Sequence, residues 1–91
     1  MSRSLTWFYD PGHAWLQVDK QTLAEFDLTP MDFSRYSYID GNNLYLEEDC
    51  DAYKFILAVG EIRFKTDWTT KERKCDDQFN VRAMRNLDVA M

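Results

Sequence analysis

A chain of 91 residues, 45% hydrophobic and 15% aromatic with two prolines and three glycines, has the composition of one folded domain and excludes a disordered or low-complexity polypeptide. Sixteen acidic against eleven basic side chains give a formal charge of −5, which disfavours nonspecific binding to a polyanion and favours a partner with a basic surface. The charge is uneven: residues 1–53 hold ten acids and three bases, whereas residues 54–91 hold six acids and eight bases, so the two parts of the chain suit different partners.

In chain order, LTWFY (5–9) predicts a strand and DPGH a turn, with Pro11 fixing φ and Gly12 taking the positive φ of a type II turn. AWLQV (14–18) alternates Ala14, Leu16 and Val18 with Trp15 and Gln17, which makes a hairpin with the first strand. Asp19 is the expected N-cap of a short helix over about 19–26, with Leu23 and Phe26 on one side. Thr29-Pro30 repeats the cap-then-proline pattern and predicts one helical turn over 30–34. SRYSYID and LYLEE form a second hairpin across the Asp40–Asn43 turn, with Tyr36 and Tyr38 on one face of its first strand and Leu44 and Leu46 on one face of its second.

YLEEDCD (45–51) packs four carboxylates around Cys50. Asp49 is the expected N-cap of the main helix, over about 49–60, and Asp51 falls in its first turn against the positive end of the dipole. Ala52, Phe55, Ile56 and Val59 make its core stripe, and Gly60 stops it. Glu47 and Glu48 have no such explanation. IRFKTDW (62–68) alternates as a strand, TTKERKCDD predicts an exposed loop, QFNVRAM a last strand or short helix, and residues 84–91 a flexible arm. The expectation is a single α+β domain over 1–91, with a mostly antiparallel sheet of about five strands, one main helix and one short helix.

His13 is the one histidine, the side chain whose ordinary pKa lies nearest neutrality. With Asp10 or Glu48 folded beside it, it makes an acid–base couple for a small enzyme or ligand-binding module. Arg35 or Arg63 would supply donors for a phosphoryl or ribosyl substrate. Its plainer role is a ring hydrogen bond to a backbone carbonyl that holds the turn. Cys50 is expected as a buried, inert thiol, because neighbouring carboxylates oppose the helix N-terminus that would activate it.

No metal or cofactor is expected. Cys50, Cys75 and His13 lack ligand pairs at short spacing, and the consecutive acids do not fit an EF-hand loop. Nucleotide-binding glycine motifs and the G-x-S-x-G elbow are absent from the sequence. MSRSLTWFYD lacks the apolar run of a secretory signal and no stretch suits a membrane span, so the expectation is a cytoplasmic protein with free thiols and no membrane partner.

Core burial is the plain fate of the aromatic rings. An acidic–aromatic interaction surface of Tyr36, Tyr38, Tyr45, Asp40, Glu47, Glu48 and Asp51 is the sharper one. Such a surface suits a host protein with a basic face, to the point of imitating nucleic-acid phosphates. Nucleic-acid binding itself is confined to a basic patch of Arg63, Lys65, Lys71, Arg73 and Lys74. An exposed edge strand would make a homodimer.

DPGH followed by an aromatic, S-x-YSY, and YLEEDCD before an apolar helix resemble a family of small proteins encoded by phages and bacterial mobile elements, over roughly residues 9–60. The resemblance supplies a setting and no residue roles. It implies a small accessory protein that binds and inhibits a host protein, such as a defence nuclease.

Overall fold

The computed structural model describes residues 3–87. Among these, six strands form one mixed sheet: β1 (Arg3–Tyr9), β2 (Ala14–Asp19), β3 (Tyr38–Asp40), β4 (Asn43–Glu47), β5 (Trp68–Lys74) and β6 (Arg85–Asn86). The order across the sheet is β5-β1-β2-β4-β3-β6. Both expected hairpins form, with Thr6 opposite Gln17 in the first and Ile39 opposite Leu44 in the second. However, β3 begins at Tyr38, so Tyr36, expected on the same strand face, lies in the preceding turn. The helices are α1 (Lys20–Glu25), α2 (Asp51–Val59) and α3 (Glu61–Asp67).

Local signals place several of these elements. Asp19 caps α1 by accepting the Thr22 N–H at 2.7 Å. Thr29 and Asp32 form a reciprocal capping box around a short 3-10 turn, Pro30–Asp32. Ala52, Phe55 and Val59 of α2 are buried as the stripe requires, and Gly60, at φ +103°, ends the helix.

Two elements correct the expected five strands and two helices. IRFKTDW is not a strand: after the bend at Gly60 the chain resumes at once as α3, with Glu61 in its first turn and Lys65 in its last, both favourable to the dipole. The period-2 pattern misleads because of Ile62, Phe64 and Thr66 only Phe64 packs inward, stacked on Trp68 with centroids 5.8 Å apart, while Ile62 is 83% exposed. TTKERK is not a loop but most of β5, which runs parallel to β1 from Arg3 opposite Trp68 to Tyr9 opposite Lys74. Its exposure was legible. Its pairing lies in the backbone, and its charges suit an edge strand that must not recruit another chain. Helices α2 and α3 form the crossover that a parallel partner requires.

The alternation in β2 divides two cores. Leu16 and Val18, with Leu44 and Leu46 of β4, pack under α2 and against Leu23, Phe33, Trp68 and Leu87. Trp15, Phe8 and Tyr45 face the other way, beneath Val81 and Phe79 of the segment that follows β5. Phe79 stacks on Phe8 with centroids 4.5 Å apart.

Further local expectations change. Asp49 does not cap α2; the cap position is Cys50, which makes no side-chain cap bond. The Asp51 carboxylate instead accepts the Ser34 N–H at 2.9 Å, the Ser34 hydroxyl at 2.8 Å and the Ser37 hydroxyl, clamping residues 34–37 to the helix. Gly12 does not take a positive φ; the turn is held by Asp10, and a Cβ at Gly12 would lie 3.2 Å from Arg82. Of the expected arm, Arg85–Asn86 are β6 and Leu87 is buried, while residues 88–91 lie outside the described residues. No helix among the described residues is long and apolar enough to cross a membrane.

Candidate functional site

The site grows from one register. Antiparallel pairing puts Trp15 of β2 opposite Glu47 of β4, and the ladder continues past the strand end with the Glu48 N–H donating to the Ala14 carbonyl at 3.1 Å. His13, which precedes that pair, is thereby brought to Glu47, Glu48 and Asp49, which close it. One potential ligand atom from each of these four side chains lies within 4.8 Å of all the others.

Asp10 sets the approach of His13. Its Oδ1 accepts the backbone N–H groups of Gly12 and His13, each at 2.9 Å, and the Asp10 N–H donates to the His13 carbonyl. The turn is thus held by the histidine's backbone and not by its ring. The imidazole is left to face Glu47, with Nδ1 3.6 Å from Oε1. Glu47 is the least exposed member of the group, its side chain 10% accessible. Its Oε2 accepts the Asp49 N–H at 3.0 Å, and among the described residues no hydrogen bond reaches Oε1.

Glu48 lines a separate hollow with Trp7 and Tyr9, whereas His13, Glu47 and Asp49 border a cavity of about 450 Å³, whose other walls include Arg35, Tyr36, Tyr38, Cys50 and Arg82. Trp15, 2% exposed, lies in the same wall, and its indole N–H has no hydrogen-bond partner. Tyr38 meets the Trp15 ring edge-on at 6.0 Å, and the Arg82 guanidinium lies 5.2 Å from its centroid. Arg82 is itself held by Asp10, at 2.5 Å from Nε to Oδ2. A larger hollow of about 610 Å³ beside the β3–β4 turn contains Asp40, Asp77 and Arg85, all exposed, and offers no buried polar group.

Of the residues that the sequence named, the His13 ring faces Glu47 and not Asp10. Asp10 is no acid–base partner; the Arg82 guanidinium above all, with the Gly12 and His13 amides, lowers its pKa from 3.8 to about 2. Glu48 does reach the cluster but is exposed, and Glu47, assigned to an open interaction surface, is the buried partner. That surface is corrected further. Tyr45 and Asp51 are buried, at 1% and 2% exposure, with the Tyr45 hydroxyl accepting from Gln17. Asp40 borders the other hollow, whereas Tyr36 is 61% exposed and, with half-buried Tyr38, lines the cavity.

Cys50 is exposed at the cavity, not buried, because α2 begins one residue after it. The basic patch is split. Arg73 lies over Phe8 and Phe79 on one face of the sheet, and strand alternation puts Lys71 with it. Lys74 shares the opposite face with Trp68, toward α3, which carries Arg63 and Lys65.

The low pKa of Asp10 has a pH signature. A carboxyl whose folded pKa lies below its unfolded value contributes stability that is complete above about 4 and lost as pH falls through about 2. Asp10→Asn is expected to cost about 1 kcal/mol at neutral pH, a drop in Tm of roughly 4–8 °C. The gap from wild type should narrow below pH 4 in thermal melts, and a gap that widens on acidification contradicts the assignment.

Fold and site together define a small α+β domain with an acidic–aromatic cavity at the end of its sheet. Comparison of the chain with protein-family models, with curated proteins and with solved structures finds no match in any of the three. The functional reading therefore rests on the chemistry of the site.

Proposed function

We propose that the chain is a small binding protein for a basic partner, and that it seats one of the partner's ammonium or guanidinium groups in the His13–Glu47 cavity. The observation that supports this most is Glu47 Oε1, an oxygen without a hydrogen bond on a carboxylate side chain only 10% accessible, in a cavity walled by Trp15, Tyr36 and Tyr38. A cation there gains a charge-assisted hydrogen bond from the carboxylate and attraction from the ring faces. Asp49 adds a second carboxylate, and Glu48 is an exposed member of the same acidic group. Of the cavity's own cations, Arg82 is engaged by Asp10, and Arg35 lies 5.7 Å from the Tyr36 ring centroid.

On this reading the partner is a host protein with a basic, nucleic-acid-binding face, met in the cytoplasm, and the phage-like motifs supply the setting. The test is capture of partners from native bacterial lysate at low and high salt, by wild type and by Glu47→Gln. One stoichiometric, salt-sensitive partner is expected, held at least tenfold less tightly by the variant. Capture that is equal with both proteins overturns the reading. A second reading uses the same pair: with Nδ1 3.6 Å from Glu47, the His13 ring is oriented as a general base is in an acid–base couple. It predicts a turnover that His13→Ala abolishes while affinity for any protein partner is retained.

A further inference from the structure

We infer that the same end of the sheet binds one divalent first-row transition-metal ion through a ring nitrogen of His13 and carboxylate oxygens of Glu47, Glu48 and Asp49. The inference goes beyond partner binding and does not depend on it, although the ion and the partner's cation would compete for Glu47. Four potential ligand atoms within 4.8 Å of one another are near the spacing an ion imposes. Ligands at about 2.1 Å from a tetrahedral centre are separated by about 3.4 Å. The exposed side chains of His13, Glu48 and Asp49 can close that difference by rotation, while buried Glu47 supplies a fixed point. Its Oε2 is already oriented by the Asp49 N–H at 3.0 Å, the kind of support that holds a ligating carboxylate in place, and Oε1 is turned toward His13.

An independent feature of the same wall points to a ligand. The indole N–H of Trp15 is buried without an acceptor, in a domain where no other described buried side-chain polar atom lacks a partner. A buried donor left unsatisfied costs about 1–3 kcal/mol, and the Trp15 ring, 6.1 Å from the His13 ring, puts that unmet polar demand beside the cluster. The donor set selects the ion. Three carboxylates alone would suit magnesium or calcium, whereas an imidazole among them favours zinc, cobalt or nickel. Short-range motif reading could not find this group, because His13 comes from the end of the first hairpin and the acids from the far end of β4.

The measurement is isothermal titration of the whole isolated chain with zinc chloride, repeated with magnesium chloride, and followed in parallel by the visible absorption of cobalt(II). One zinc ion per chain is expected, with magnesium at least tenfold weaker. His13→Ala and Asp49→Asn, both at exposed positions, should each weaken zinc at least tenfold without changing Tm in the metal-free protein. Cys50→Ser should leave zinc affinity within twofold. Three results overturn the inference: no saturable binding, zinc binding unchanged in His13→Ala, or binding lost in Cys50→Ser, which would assign the ion to the thiol. Because no partner is present, loss of zinc binding leaves the partner reading standing, and the lysate experiment fails or succeeds separately.

Discussion

Asp51→Ala is expected to destabilise the domain by about 3 kcal/mol, a large share of the roughly 5–15 kcal/mol available to a small fold. Asp51 is 2% exposed and accepts from the Ser34 N–H, the Ser34 hydroxyl and the Ser37 hydroxyl. Truncation removes three bonds to one carboxylate and leaves the fully buried Ser37 hydroxyl without its acceptor. Ser37 Oγ in turn accepts the Glu47 N–H at 3.0 Å, so the same change loosens the backbone that presents Glu47. Urea denaturation should show a lower midpoint, and any residual fold should bind its partner more weakly. Asp51→Asn, which keeps one acceptor oxygen, should fall between the two. A cost below 1 kcal/mol for Asp51→Ala contradicts this account of the clamp.

Phe55→Ala is expected to cost about 3–5 kcal/mol, with no direct effect on the cavity. Phe55 is fully buried, and its ring stands edge-on to Phe26 at 6.0 Å, Phe64 at 6.3 Å and Trp68 at 5.9 Å. It therefore ties α2 to the end of α1, to α3 and to β5, and its removal leaves a void bounded by three rings that cannot all move inward. The cluster lies on the opposite face of the sheet from Trp15, in a separate core. Partner affinity measured well below the variant's Tm should match wild type. A variant that melts normally contradicts the packing described, and one that is folded yet deficient in binding contradicts the independence of the two faces.

The contrast between these residues shows what the sequence could reveal. The Asp19 cap, the Thr29 cap and the Ala52-Phe55-Val59 stripe were legible because each is a pattern carried within a few residues of chain, whereas the return bond from Asp32 that completes the Thr29 capping box was not read. Asp51 was rightly placed at the helix start, but its serine partners lie 14 and 17 residues away, so a dipole contact was the visible explanation and a clamp was not. Seven residues of α3 are too few to separate periods of 2 and 3.6, and Phe64 satisfies both. For β5, the pairing that defines it joins backbone groups more than 60 positions apart beneath charged side chains. The site failed to show for a related reason. Glu47 is one of two adjacent glutamates, and which of them enters the fold depends on the register of β4 against a strand that is not its neighbour in sequence.

The most direct test of the cavity is an NMR titration of the ¹⁵N-labelled protein with a short arginine-bearing peptide. The reporter is the indole N–H signal of Trp15, whose side chain lines the proposed site. A saturable shift of that signal, together with the amides of His13, Tyr36 and Asp49, and its loss in Glu47→Gln, is the predicted result. An indole signal that stays fixed while other surface amides move would contradict a cavity that seats a cation beside Glu47.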